Sequence, residues 1–98
     1  MIGELATIAL AEAFGGTRLY IPMRQHPDCE IVHAIGIIAA QELSHRFAPD
    51  VIRVPLLRNM RAQHYRDTGL SHAKIAVRLG MTEAGVNRLF ARLKLQNK

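Results

Sequence analysis

At 98 residues, 49% of them hydrophobic and 21% charged, the chain has the size of one small domain or two very small lobes, and its apolar content excludes intrinsic disorder. The longest largely apolar run, Ile31 to Ala40, is interrupted by His33 and is about half of the roughly 20 residues a membrane span needs. The first residues carry Glu4 and Glu12 without a basic cluster, so no secretory signal is expected, and a single Cys29 excludes an internal disulfide, which fits a reducing cytoplasm. The net charge of +5 hides two unlike halves: residues 1–50 hold three basic and six acidic side chains, net −3, and residues 51–98 hold ten basic and two acidic, net +8. That asymmetry predicts a polyanion-binding module joined to something else.

In chain order, residues 2–14 read as a helix, rich in Ala and Leu, with Ile2, Leu5 and Ile8 at helical spacing. Gly15-Gly16 stops it. Thr17 to Ile21 is short and rich in strand formers, and Pro22 ends it. A polar loop follows to about Pro27. Asp28 and Glu30 then supply first-turn negative charge for a helix running to about Phe47. Its apolar positions Ile31, Ala34, Ile35, Ile38, Ala39 and Leu43, widened by Val32 and Ile37, form a stripe broad enough for burial on more than one side. Ala48-Pro49-Asp50 breaks this helix, and Val51 to Val54 is a second strand closed by Pro55.

These two stretches read as an internal repeat. A shift of 33 superposes Ile2 on Ile35, Gly3 on Gly36, Ala6 on Ala39, Leu10 on Leu43, Phe14 on Phe47 and Pro22 on Pro55. Six identities in 21 positions are weak alone, but the order helix, break, strand, proline is shared. Two helix–strand copies, neither able to cover its apolar face alone, are expected, and the short strands need each other or a symmetry mate.

After Pro55 the chain is expected to be helical. Leu56 to about Arg66 forms the first segment, with Leu57, Met60 and Tyr65 as its inner face, and Gly69 ends it. Ser71 is a good N-cap for a second helix to Leu79, and Thr82 for a third to about Leu95. Residues 72–91 fit a helix-turn-helix, which needs a small residue where its helices cross, glycine at the left-handed turn, and apolar residues holding the second helix on the first. Ala76 fills the crossing position, Leu79 precedes the turn, Gly80 makes it, Met81 plugs it, and Val86 and Leu89 anchor the second helix. The outward residues of the recognition helix, Thr82, Glu83, Ala84, Asn87 and Arg88, are the candidate base contacts: Arg88 for guanine O6/N7, Asn87 for adenine, Glu83 for cytosine N4 or for the helix N-terminus alone. Arg61, Ser71, His72, Lys74, Arg78, Arg92 and Lys94 are the candidate phosphate contacts, which position without specifying.

Other chemistry is thin. His26, Cys29 and His33 have spacings a metal tolerates, but no fourth ligand is near, so no metal is expected and Cys29 reads as a small, partly buried apolar residue. His33 and His45 read as core or interface residues. No Ser-His-Asp spacing, paired carboxylates or phosphate loop is present, so no enzyme, cofactor or small-molecule substrate is expected.

The segment Phe14-Gly15-Gly16-Thr17-Arg18-Leu19-Tyr20-Ile21-Pro22 resembles the Gly-Gly-x-x-Ile-Tyr-Ile-Pro signature of the Mor/C transcription activators of phages and prophages, and Tyr65 to Leu93 is similar to the helix-turn-helix that closes those proteins. The resemblance implies a homodimer whose N-terminal helices intertwine, placing dimerisation on Leu5, Ile8, Ile31, Ile35, Ile38 and Leu43. It also implies a linker strand, with Gly15, Gly16, Tyr20 and Pro22 or with Val51 to Val54, that pairs between subunits. The dimer would bind an imperfect promoter dyad in double-stranded DNA and recruit bacterial RNA polymerase. The second copy departs from the signature, with Ala48-Pro49 for the two glycines and Arg53 for Tyr20.

The expected protein is mainly α with two short β-strands: an N-terminal helical dimerisation region, residues 1–55, followed by a C-terminal helix-turn-helix, residues 56–98. Its expected role is transcription activation. The alternatives are a repressor or autoregulator, and a small phage protein that inhibits a host complex through protein contacts.

Overall fold

The computed structural model describes residues 2–96, and side chains as far as residue 94. Among the described residues the chain is mainly helical, with six helices and one two-stranded sheet. It divides into two compact units, Met1–Leu57 and Arg58–Lys98. No helix among the described residues is long and apolar enough to cross a membrane.

The first unit runs α1 (Glu4–Phe14), β1 (Arg18–Ile21), α2 (Glu30–Ile35), α3 (Ile37–Phe47) and β2 (Asp50–Arg53). The internal repeat is written in its backbone. α1 and α3 are both 11 residues long and 33 positions apart, and each starts after a glycine of nearly the same conformation: Gly3 at φ 91°, ψ 158° and Gly36 at φ 85°, ψ 160°. Each glycine carbonyl accepts the first helical N–H, from Thr7 and from Ala40. Gly36 therefore divides the single helix expected over residues 28–47, because a residue at that positive φ cannot continue a right-handed helix. The stripe expected across it is rephased. Ala40 and Leu43 are buried, whereas Ile38 is 78% exposed.

The two copies meet through their strands. β1 and β2 are antiparallel, with Arg18 opposite Arg53, Leu19 opposite Ile52, Tyr20 opposite Val51 and Ile21 opposite Asp50. Gly16 N–H to Val54 O (2.7 Å) and Val54 N–H to Thr17 O (2.9 Å) extend the ladder. The strands thus pair with each other within one chain, and β1 lies between α1 and α2 in chain order. Gly15, Gly16, Tyr20 and Pro22 belong to the interior order of this unit, and β2 is the strand that precedes the second unit. The inner sheet face gives Ile21 and Val54 to a core with Leu10, Ile31, Ala40 and Leu43, against which the half-buried Cys29 packs. Buried Ser44 on α3 donates to Pro22 O and accepts from Gln25 Nε2, both at 2.7 Å, which fastens the loop after β1 to that helix.

In the second unit α4 (Arg58–Asp67), α5 (His72–Leu79) and α6 (Glu83–Gln96) enclose a separate core of Ala62, Tyr65, Ile75, Ala76, Leu79, Val86, Leu89 and Phe90. Of the inner face expected for α4, only Tyr65 is buried. Met60 is 39% exposed and Leu57 precedes the helix at φ 53°, because the buried stripe runs through Arg61, Ala62 and Tyr65.

Gly15 is fixed by space. A Cβ there would lie 2.4 Å from Ala11 O and 3.3 Å from Pro55 O, both backbone atoms. Gly15→Ala is expected to lower stability by about 1–3 kcal/mol, the usual range for overpacking. Urea denaturation checks this, and an unchanged midpoint would show that the end of α1 yields freely.

Candidate nucleic-acid interface

The candidate surface is built on α5, the turn after it, and α6. Ser71 caps α5 by accepting from Lys74 N–H (3.3 Å), and Thr82 caps α6 by accepting from Gly85 N–H (3.0 Å). Between them Gly80 sits at φ 67°, ψ 35°, and Met81 N–H returns to Ala76 O at 2.9 Å, the bond that closes a helix end through a left-handed residue. Ala76, Leu79, Val86 and Leu89 are buried and Met81 is half-buried against them, as expected of the turn's packing residues. Sequence reasoning missed Ile75 and Val86's neighbour Phe90, both in this core. Ile75 lies four residues before Leu79 and Phe90 four after Val86, so helical spacing carried the signal.

Burying Val86, Leu89 and Phe90 turns the opposite side of α6 outward. Thr82, Glu83, Ala84, Asn87 and Arg88 are all exposed. Ala84, Asn87, Arg88 and the unanticipated Ala91 follow i, i+3, i+4, i+7 spacing and so share one face. The small side chains at Ala84 and Ala91 leave room for a close approach on either side of Arg88. Glu83 begins α6, where its charge complements the helix N-terminus.

No protein-family model, curated protein or solved structure matches the chain.

The remaining site residues separate into surface and interior. Lys74, Arg78, Arg92 and Lys94 are exposed. Only two carboxylates, Asp67 and Glu83, accompany the ten cations of residues 51–98, so the acids of this stretch are too few to pair its cations, and Asp67 accepts from Gln63 Nε2 at 3.2 Å. Arg78 lies with its guanidinium 5.5 Å from the Tyr65 ring centre. Arg66, not foreseen as a site residue, holds its guanidinium 5.0 Å from the Phe90 ring and lines a groove with His72, Asn87 and Lys94.

Two expectations need correction. Arg61 is not a surface cation. It is 8% exposed, its Nε–H donates to Tyr65 Oη (3.3 Å) and its Nη2 to Arg78 O (3.1 Å), so it joins α4 to α5. His72 is half-buried, stacked on Phe90 with ring centres 4.9 Å apart and planes 19° from parallel, and its Nδ1 meets Asn87 Oδ1. Its ring is committed to α6. In the first unit, Ile8, Ile31 and Leu43 are buried in that unit's own core and Ile35 is half-buried, which leaves Leu5 (70% exposed) and Ile38 (78% exposed) of the expected dimerisation residues on the surface. Among the described residues no three His, Cys, Asp or Glu side chains gather to hold a metal ion.

Arg61→Met keeps the apolar stem and removes the bonds to Tyr65 and Arg78. It is expected to lower the urea midpoint by the equivalent of about 1–3 kcal/mol, the cost of leaving a buried acceptor unpaired. Unchanged stability with weaker binding to heparin would return Arg61 to a surface role.

Proposed function

We propose that this chain is a sequence-specific DNA-binding transcription regulator of phage or prophage type, an activator of the Mor/C kind that binds a promoter dyad as a homodimer and recruits RNA polymerase. The observation that carries the reading is the α5–Gly80–α6 unit, a helix-turn-helix on this interpretation, whose packed side turns Asn87 and Arg88 outward in the strongly basic half of the chain. α6 is then the recognition helix, with Arg88 and Asn87 reading base edges and Lys74, Arg78, Arg92 and Lys94 meeting phosphates. Arg66 joins the phosphate set through the groove it shares with Lys94.

Size and surface support the dimer. A chain this small gains from a partner, and Ile37 and Ile38 are exposed beside the glycine that starts α3, while Leu5 is exposed near the one that starts α1. Light scattering at micromolar concentration is expected to give twice the 10.9 kDa of one chain. A monomer mass would remove the dyad from the reading.

Selection from random duplex DNA tests the whole proposal. The expected product is a dyad of half-sites about 34 Å apart, one helical turn; no enrichment sinks it. Arg88→Ala is expected to cost about 1–3 kcal/mol and to relax preference at one base pair of each half-site. Lys74→Ala and Arg92→Ala are expected to weaken all sequences evenly and to flatten the salt dependence by about one unit of log–log slope per subunit, about two for the dimer.

A further inference from the structure

His72 and Asn87 lie on different helices, yet the imidazole Nδ1 of one faces the amide oxygen of the other. An amide oxygen only accepts, so the pair is a hydrogen bond in the tautomer that carries the proton on Nδ1. The ring cannot easily turn away. Stacking on Phe90, itself 6% exposed, fixes its plane, and its place as the first residue of α5, behind the Ser71 cap, fixes its base.

We infer that His72 is the positioning residue of Asn87: it holds the amide oxygen toward α5 and thereby fixes which end of the exposed Asn87 side chain donates. The inference rests on α6 being the helix that enters the major groove. Asn recognises adenine by accepting from N6 and donating to N7, an arrangement that a half-turn of the amide reverses. His72 uses one lone pair of Oδ1 and leaves the other, with both Nδ2 hydrogens, for the base. An unsupported surface Asn populates both orientations and has to be ordered on binding, whereas a side chain locked by a neighbour arrives in register. Sequence alone suggested a phosphate contact at His72; the stack and the bond assign it to specificity.

The test uses the full chain and three variants. His72→Phe keeps the stack and removes the donor, His72→Asn returns a donor near the Nδ1 position, and Asn87→Ala removes the reader. In the free wild-type protein, ¹⁵N-resolved NMR is expected to find a proton on His72 Nδ1, and the Asn87 side-chain amide signals are expected to move in His72→Phe. In competition binding, His72→Phe is expected to keep low-salt non-specific binding and to lose about 5- to 150-fold of the discrimination at one base pair, the range of a good bidentate contact. His72→Asn restores most of it, and His72→Phe adds nothing in the Asn87→Ala background. An unprotonated Nδ1, amide signals that do not move, or equal losses with and without Asn87 overturn the positioning role. Asn87→Ala with discrimination intact at every position overturns the base reading itself, whatever the imidazole carries, so the two failures are told apart.

Discussion

The turn at Gly80 is the constraint from which the second unit follows. Its positive φ lets the chain reverse, and Met81 N–H returns to Ala76 O, which also accepts from Gly80 N–H, so that the end of α5 closes on itself. That reversal decides which residues of α6 reach Ile75, Ala76 and Leu79. Once Val86, Leu89 and Phe90 are committed inward, the 3.6-residue period leaves Ala84, Asn87, Arg88 and Ala91 no choice but to face outward. The requirement at Gly80 is one of dihedral angle alone, since a Cβ there meets nothing within 4 Å. At Gly15 the requirement is the opposite, an ordinary φ of −53° with backbone oxygens where a side chain would go.

The first unit solves a different problem. Each helix–strand copy is too short to cover its own apolar face, and a lone two-stranded ribbon is marginal in water. Antiparallel pairing of β1 with β2 joins the copies within the chain, so that Ile21 from one and Val54 from the other enter a single core. On the outer face the register sets Arg18 directly across from Arg53 and Tyr20 across from Val51. Like charges directly opposite oppose pairing, so the inner face supplies the drive.

Turn chemistry and capping were legible because they depend on one or two residues each: Gly80, Ser71 and Thr82 carry their own signals, and both caps form as their hydroxyls suggest. The repeat was legible too, and it held the information that the periodicity of residues 28–47 concealed. Aligning Gly36 with Gly3 places the start of a helix at Gly36, while the apolar residues on both sides of it, read as one stripe, argue for continuity. Local pattern lost to a single backbone conformation. Arg61 was illegible for another reason: nothing in its neighbourhood along the chain distinguishes it from Arg66, and its burial depends on Tyr65 and on a carbonyl 17 residues away. The same holds for His72, whose partners Asn87 and Phe90 are 15 and 18 residues distant.

That distance bears on how the outward face of α6 would read a duplex. Asn87 and Arg88 are neighbours on one surface but differ in freedom. Asn87 is tied through His72 to the packed ring of Phe90, so its order is established when the helices pack, and any contact it makes keeps most of its free energy. Arg88 is exposed, and holding a long side chain in one geometry costs up to about 2 kcal/mol of rotamer entropy. On the proposed reading its planar fork would recover that through two hydrogen bonds to a matching guanine edge and through fewer on any other edge. A short rigid reader beside a long adaptable one would therefore share recognition between them, the first penalising a wrong base by geometry and the second rewarding a right one by bond count. Both would depend on α5 and α6 staying docked, so that on the proposed reading stability of the second unit and discrimination of sequence would be two readings of the same packing.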